Sequence, residues 1–207
     1  MIDILKILAG LASGYLIGSL NTGVIVGKIY GKDIRSHGSK SAGLTNTLRV
    51  LGKSAAVIVL AGDISKGIIA CLIGLQLGVY VSTGEAIDCV SLLAAGAGAV
   101  MGHNWPVYFG FKGGKGALTA AAVMFMVDWV MALICLGFFV TLVAITRYVS
   151  LSTISATMLF AAISFIPVFG NTLYFNIFSI LMAFIIIYKH KKNVQRLLSG
   201  TENRLTF

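Results

Sequence analysis

The sequence predicts an all-α fold: a polytopic transmembrane helical bundle of seven spans, forming a single integral membrane domain over residues 1–207. Three observations lead there. Hydrophobic residues make up 57% of the chain and charged residues only 11%, where a soluble domain carries about a quarter charged. Mean hydropathy is +0.93. Apolar runs long enough to cross about 30 Å of hydrocarbon recur from one end of the chain to the other. The formal charge of +9 would point a soluble protein toward nucleic acid, but here the cations lie in the loops, so membrane lipid is the expected partner and nucleic acid is not. Cys71, Cys89 and Cys135 are odd in number and lie in or beside apolar runs without C-x-x-C spacing. Neither a disulfide framework nor a zinc site is expected.

The runs fall at 4–29, 54–80, 89–109, 117–127, 129–146, 150–168 and 173–188. No A-x-A-like cleavage site follows the first, so it is expected to stay as a helix. It carries Gly10, Gly14 and Gly18, then Gly23 and Gly27, and the third run carries Ala94, Gly98 and Gly102. Small residues at four-residue spacing let a neighbouring backbone approach closely. In the second run Asp63 and Lys66 stand three residues apart. They can pair on one helix face, as a structural ion pair or beside a substrate. Asp128 interrupts 117–146, a stretch of about thirty residues, which favours two helices over one. Cations gather around alternate loops, at Lys28 to Lys53, Lys112 and Lys115, Arg147, and Lys189 to Arg204, whereas Glu85, Asp88 and Asp128 occupy the others. By the positive-inside rule the N-terminus lies outside and the C-terminus in the cytoplasm.

Chemistry concentrates in three basic segments. The turn Phe111-Lys112-Gly113-Gly114-Lys115-Gly116 follows Gly102-His103-Asn104-Trp105-Pro106 and precedes an apolar helix. Glycines let backbone N–H groups approach an anion, the lysines add charge, and a helix N-terminus favours a negative guest. It is not a nucleotide P-loop, since Phe109 and Gly116 replace the required glycine and hydroxyl residue. Two readings of the turn remain open, a phosphate cradle or a Gly-rich connection whose lysines meet lipid headgroups. The first loop, residues 33–49, mixes glycines, hydroxyls, an amide and cations. The tail from Lys189 reads as a basic amphipathic helix, with lipid contact as one explanation. His37, His103 and His190 fall in three different loops of the same predicted face, which puts imidazoles in reach of proton transfer.

The segments GSLNTG, DIRSHGS, TNTLR, GHNWPVYFGFKGGKG, TRYVSLS and HKKNVQRLLSGTE, in that order from Gly18 to Glu202, resemble the successive motifs of the bacterial acyl-phosphate:glycerol-3-phosphate acyltransferases, the PlsY family. The resemblance implies a multi-pass enzyme of the bacterial cytoplasmic (inner) membrane with its active site on the cytoplasmic face. It implies acyl transfer from acyl phosphate to the sn-1 hydroxyl of glycerol 3-phosphate, giving lysophosphatidic acid and phosphate, the first acylation of phospholipid synthesis. The enzyme supplying acyl phosphate is an implied partner, and no cofactor or metal is called for.

Carried onto this chain, the resemblance implies catalytic roles for Ser39, Arg49, Lys115, His190 and Asn193. It implies substrate contacts by Thr45, Asn46, Lys112, Ser150 and Glu202, to which the reading of the turn as an anion cradle adds Gly113, Gly114, Gly116 and His103. The family reads GSGNxGATN where this chain has Lys40 and Ser41 after Gly38-Ser39. No H-x-x-x-x-D unit is present, because Ala42, Tyr108 and Gln195 stand five residues after the histidines, which argues against thioester donors. No G-x-S-x-G elbow is found, so direct attack without an acyl-enzyme is expected. The base is left among a substrate phosphate oxygen, His190 and His103. A small membrane transporter or channel for phosphate or a phosphorylated metabolite is the alternative, though its cations would be expected near the bilayer midplane.

Overall fold

A computed structural model describes residues 2–83, 86–169 and 172–205; Glu85 lies outside them. The chain forms two compact units, Met1–Val81 with Cys89–Val127, and Ser82–Asp88 with Asp128–Phe207.

In the first unit, α1 (Ile2–Gly18), α2 (Thr22–Ile29), α3 (Leu44–Leu51), α4 (Lys53–Leu77), α5 (Val90–Asn104) and α6 (Ala117–Val127) are joined by loops holding 3-10 turns at Ile34–Ser36 and Val107–Phe109. The glycine spacing read from the sequence joins α1 to α5. A Cβ on Gly14 or Gly18 would strike the backbone of Ala95 or Ala99, and one on Gly98 or Gly102 would strike the backbone of α1 near Leu11 and Tyr15. Both helices thus bring bare backbone to the seam, which maximises van der Waals contact where lipid offers no hydrophobic drive. Gly23 and Gly27 serve a different purpose. They leave room for Lys32 and for Ile34 and Ala42 of the first loop. Where α4 meets α5, Ser91 Oγ donates to Gly74 O at 2.7 Å.

The first apolar run is two helices rather than one. Ser19 Oγ bonds back to Tyr15 O, and Asn21 Oδ1 accepts from Val24 N at 3.1 Å, an N-cap that starts α2 afresh. The hidden third helix, α3, packs Leu51 against Val24, Ile34 and Ala42 on one side and Val26, Ala55 and Val59 on the other.

The strands β1 (Tyr80–Thr83) and β2 (Ala86–Cys89) pair as a two-stranded sheet. The second unit then holds α7 (Trp129–Thr146), α8 (Val149–Ile163), α9 (Leu173–Lys189) and α10 (Lys191–Leu198). The chain breaks at Asp128, as its carboxylate in an apolar stretch led one to expect, and Asp128 Oδ1 caps α7 by accepting from Met131 N at 2.9 Å. Asp88 does the same for α9. Its Oδ2 accepts from Phe175 N at 3.1 Å and from the Thr172 hydroxyl. Phe160 stacks on Phe175 with centroids 5.9 Å apart in the core of this unit.

Asp3–Ile29, Lys53–Leu77 and Trp129–Thr146 are each long and apolar enough to cross a membrane, and α9 with α10 forms a pair bent by 62°. Ala117–Val127 and Val149–Ile163 are shorter apolar helices. Leu16, Ile58 and Ile69 in the first unit and Leu133, Val140 and Phe184 in the second are exposed, an outer surface suited to hydrocarbon.

Candidate active site

The first loop is built around Asn46. Its buried amide donates to Ile34 O at 2.9 Å and His37 O at 3.1 Å, while Oδ1 accepts from Ser39 N at 2.8 Å. Both amide hydrogens are committed, so Asn46 holds the loop that carries half-buried Ser39. Asp33 Oδ1 caps the 3-10 turn through Arg35 N and grips the Arg35 guanidinium at 2.9 Å. That hydrogen-bonded guanidinium holds the Asp33 carboxyl down at about 2. Arg35 Nη1 also donates to Phe109 O and Lys112 O, at 3.1 and 3.4 Å. One arginine therefore ties the first loop to the glycine turn. Thr45 and Arg49 lie one helical turn apart on α3, with Arg49 exposed. His37 turns its Nδ1 to Ser36 Oγ and Asp33 O.

In the glycine turn, Gly110, Phe111 and Gly116 adopt positive φ of 63°, 60° and 72°. Gly113 and Gly114 are glycines for another reason. A Cβ on Gly113 would meet His103 O and Pro106, and one on Gly114 would meet the His103 ring and Ala42 O. Gly114 N donates to His103 O at 3.1 Å. Gly114 itself does not adopt positive φ, and its N–H is already used. Lys112 is exposed and Lys115 half-buried. α6 begins at Ala117, directly after Gly116, so its first N–H groups and the positive end of its dipole stand beside Lys115 and Gly116.

His103 is not in a loop but on the last turn of α5, buried. Its Nδ1 lies 2.8 Å from Lys66 Nζ and 3.5 Å from Asp63 Oδ1, and Lys66 Nζ is 2.8 Å from the same carboxylate oxygen. Asp63 and Lys66 do form the ion pair their spacing allowed, and the histidine is its third member.

The second unit gathers four of the expected residues. Glu202 Oε1 accepts from Ser150 Oγ at 2.7 Å and from Asn193 Nδ2 at 2.6 Å, and Oε2 accepts from Arg196 Nε at 2.6 Å. Burial raises the Glu202 carboxyl, but these three donors outweigh it and the group sits below its usual range. Glu202 thereby fixes the first turn of α8 to α10. His190 is the hinge between α9 and α10. Its Nδ1 donates to Ile186 O at 2.8 Å, which leaves Nε2 with the lone pair in the neutral ring. Leu205 N donates to Arg147 O and Arg204 Nε to the Tyr148 hydroxyl.

A family model for glycerol-3-phosphate acyltransferase matches residues 8–200. The chain belongs to the glycerol-3-phosphate acyltransferase family. An acyltransferase of this name from Thermoanaerobacter pseudethanolicus is 44% identical over 192 residues, 92% of this chain and 91% of the relative. Another, from Shouchella clausii, is 40% identical, covering 98% and 97%. Among solved structures, the glycerol 3-phosphate form of PlsY, an integral membrane glycerol 3-phosphate acyltransferase, is similar with a TM-score of 0.86 at 38% identity over 97% of this chain and 96% of that one. Its lysophosphatidic acid form gives a TM-score of 0.83 at 37% identity, covering 97% and 95%.

The acyltransferase motif departs from its usual GSGN at Lys40, and that residue sits at φ 57°. The glycine of the family pattern is the residue type that enters this conformation freely. Two features escaped sequence reading. The Arg35 tie spans 74 and 77 residues, and the approach of His103 to Lys66 spans 37; neither leaves a local pattern.

Proposed function

We propose that this acyltransferase moves an acyl group from acyl phosphate to the sn-1 hydroxyl of glycerol 3-phosphate, giving lysophosphatidic acid and inorganic phosphate. The hydroxyl oxygen attacks the acyl carbon directly, the bond from that carbon to the phosphate oxygen breaks, and phosphate leaves. An acyl phosphate is already activated, so positioning and charge neutralisation suffice. Family membership supports the reaction. The observation that carries the site is the glycine turn, where Lys115 and Gly116 lead straight into the positive end of α6.

Arg49, exposed on α3, is assigned to the glycerol 3-phosphate headgroup, because a guanidinium can fork two oxygens. Lys115, with Lys112, Gly113 and Gly116, is assigned to the phosphate that leaves. Ser39 and Thr45 are assigned to hydroxyl contacts. Asn46, with both amide hydrogens held by the loop, is a positioning residue, and Gly114 allows the turn to lie on His103. Ser150, Asn193 and Glu202 serve together through the Glu202 hydrogen bonds. The proton of the attacking hydroxyl goes to a substrate phosphate oxygen, or to His190, whose Nδ1–H bond to Ile186 leaves Nε2 as the acceptor. In this reading the chain has seven spans in the bacterial inner membrane, its N-terminus outside and its active face cytoplasmic.

Purified protein supplied with glycerol 3-phosphate and synthetic acyl phosphate is expected to release phosphate and form lysophosphatidic acid. Acyl-CoA in place of acyl phosphate is expected to give no product. Efficient turnover with acyl-CoA would overturn the donor assignment.

A further inference from the structure

Asp63 on α4, Lys66 one turn later and His103 on α5 form a charged cluster inside the first unit, with exposures of 1%, 4% and 2%. Lys66 Nζ bridges the other two at 2.8 Å each. Two nitrogens this close need one hydrogen between them. The ammonium, held by the Asp63 carboxylate, supplies it, so Nδ1 of His103 is the acceptor and the ring proton lies on Nε2. Thr119 cannot reverse this, since its single hydroxyl hydrogen is directed to Asp63 O at 3.3 Å, and its oxygen stands 3.5 Å from Nδ1. Charge leads to the same answer. A carboxylate, an ammonium and a neutral imidazole sum to zero, whereas an imidazolium beside that ammonium would leave a buried excess positive charge.

The Nε2 edge of this ring is the one that a Cβ on Gly114 would strike, and the backbone carbonyl of His103 is the acceptor for Gly114 N. Lys66 also reaches Leu20 O at 3.5 Å, and Asn21 Nδ2 donates to His103 O at 3.2 Å. The ion pair, the imidazole and the glycine turn are therefore one connected assembly.

We infer that Asp63 and Lys66 are positioning residues for the reaction: they lock His103 as the neutral, Nε2-protonated imidazole behind the Gly113–Gly116 turn, a fixed donor rather than a general base. This rests on the reading of the turn as the phosphate site. His103 and His190 hold opposite tautomers, one presenting a proton at Nε2 and the other a lone pair. Of the two, only His190 is left able to accept a proton through that nitrogen.

The lock is tested by nitrogen NMR of the full-length protein labelled with ¹⁵N-histidine, the His103 signals being those lost in His103→Gln. The wild-type protein is expected to show a protonated Nε2 and a bare Nδ1 at neutral pH; an imidazolium or an Nδ1-protonated ring would overturn the inference. The link to the reaction is tested with two charge-free pairs, Asp63→Asn/Lys66→Gln and Asp63→Asn/Lys66→Met. Both remove the ion pair at similar volume, but only glutamine can donate to Nδ1. At matched thermal stability the glutamine pair is expected to keep roughly tenfold or more of the kcat/KM that the methionine pair loses. Equal activity in the two would mean that the cluster only packs, and would overturn the positioning role. Phosphate release by the wild-type protein reports on the function alone, and the NMR spectrum on the tautomer alone, so the two failures are distinguishable.

Discussion

Arg49 stands exposed at the end of α3, on the same face as Thr45, and its assigned task needs a planar fork. Arg49→Lys is expected to lose nearly as much kcat/KM as Arg49→Ala, roughly 2 to 4 kcal/mol in transition-state stabilisation or about a hundredfold and more. A lipid-facing arginine would tolerate lysine, so near-normal kinetics of Arg49→Lys would remove it from the site. Gly114→Ala cannot serve the same purpose. Its Cβ meets His103 and Ala42 O, and activity would fall whether or not an anion binds there. Lys40 offers a cleaner test of local strain. A non-glycine residue at φ 57° costs about 1 kcal/mol, so Lys40→Gly is expected to hold or raise the unfolding temperature and Lys40→Val to lower it.

Between elements, the seam of α1 and α5 has no room for side chains. Gly18→Ala would place a Cβ against Ala99, with the Ala99 Cα at 2.7 Å, and is expected to cost about 1–3 kcal/mol. Gly137 in α7 meets nothing within 4 Å, so Gly137→Ala in the same assay should be neutral or mildly stabilising. Asp128→Ala removes the α7 cap and is expected to cost about 1 kcal/mol. These features were legible because they are local: a four-residue glycine spacing, or one carboxylate in an apolar run. The Asn21 break was not, since an N-cap inside a run of hydropathy looks like any polar residue within a span. Helix α3 was hidden by its polarity, with Thr45, Asn46, Thr47 and Arg49 in eight residues. The strands at Tyr80 and Ala86 were too short to show a period. In the site, residue types were readable but their partners were not. Asn46 reads as a ligand until its three bonds to the loop are seen.

At the scale of the whole molecule, charge and pH act together. With its carboxyl held below the ordinary 4.5, Glu202 stabilises the fold fully above that value, and the contribution disappears as pH falls through the lowered one. The unfolding temperatures of wild type and Glu202→Gln are therefore expected to differ near neutrality and converge on acidification below 4.5. A gap that widens toward acid would contradict the hydrogen-bonded carboxylate. Topology is open to labelling. Cysteines replacing Lys115 or Lys191 are expected to resist an impermeant reagent added to intact cells, and one replacing Asp128 to react. Labelling at Lys191 from outside would invert the proposed orientation.

The bare seam also bears on how the gene can change. A glycine codon altered at any single base yields glycine again, a stop, or a residue that carries a Cβ, and Gly14, Gly18, Gly98 and Gly102 each face backbone where that Cβ would sit. No one-step amino-acid replacement at these positions is conservative. Random mutagenesis under selection for activity should leave them as four silent gaps on two helices, spaced by one turn, whatever happens in the loops.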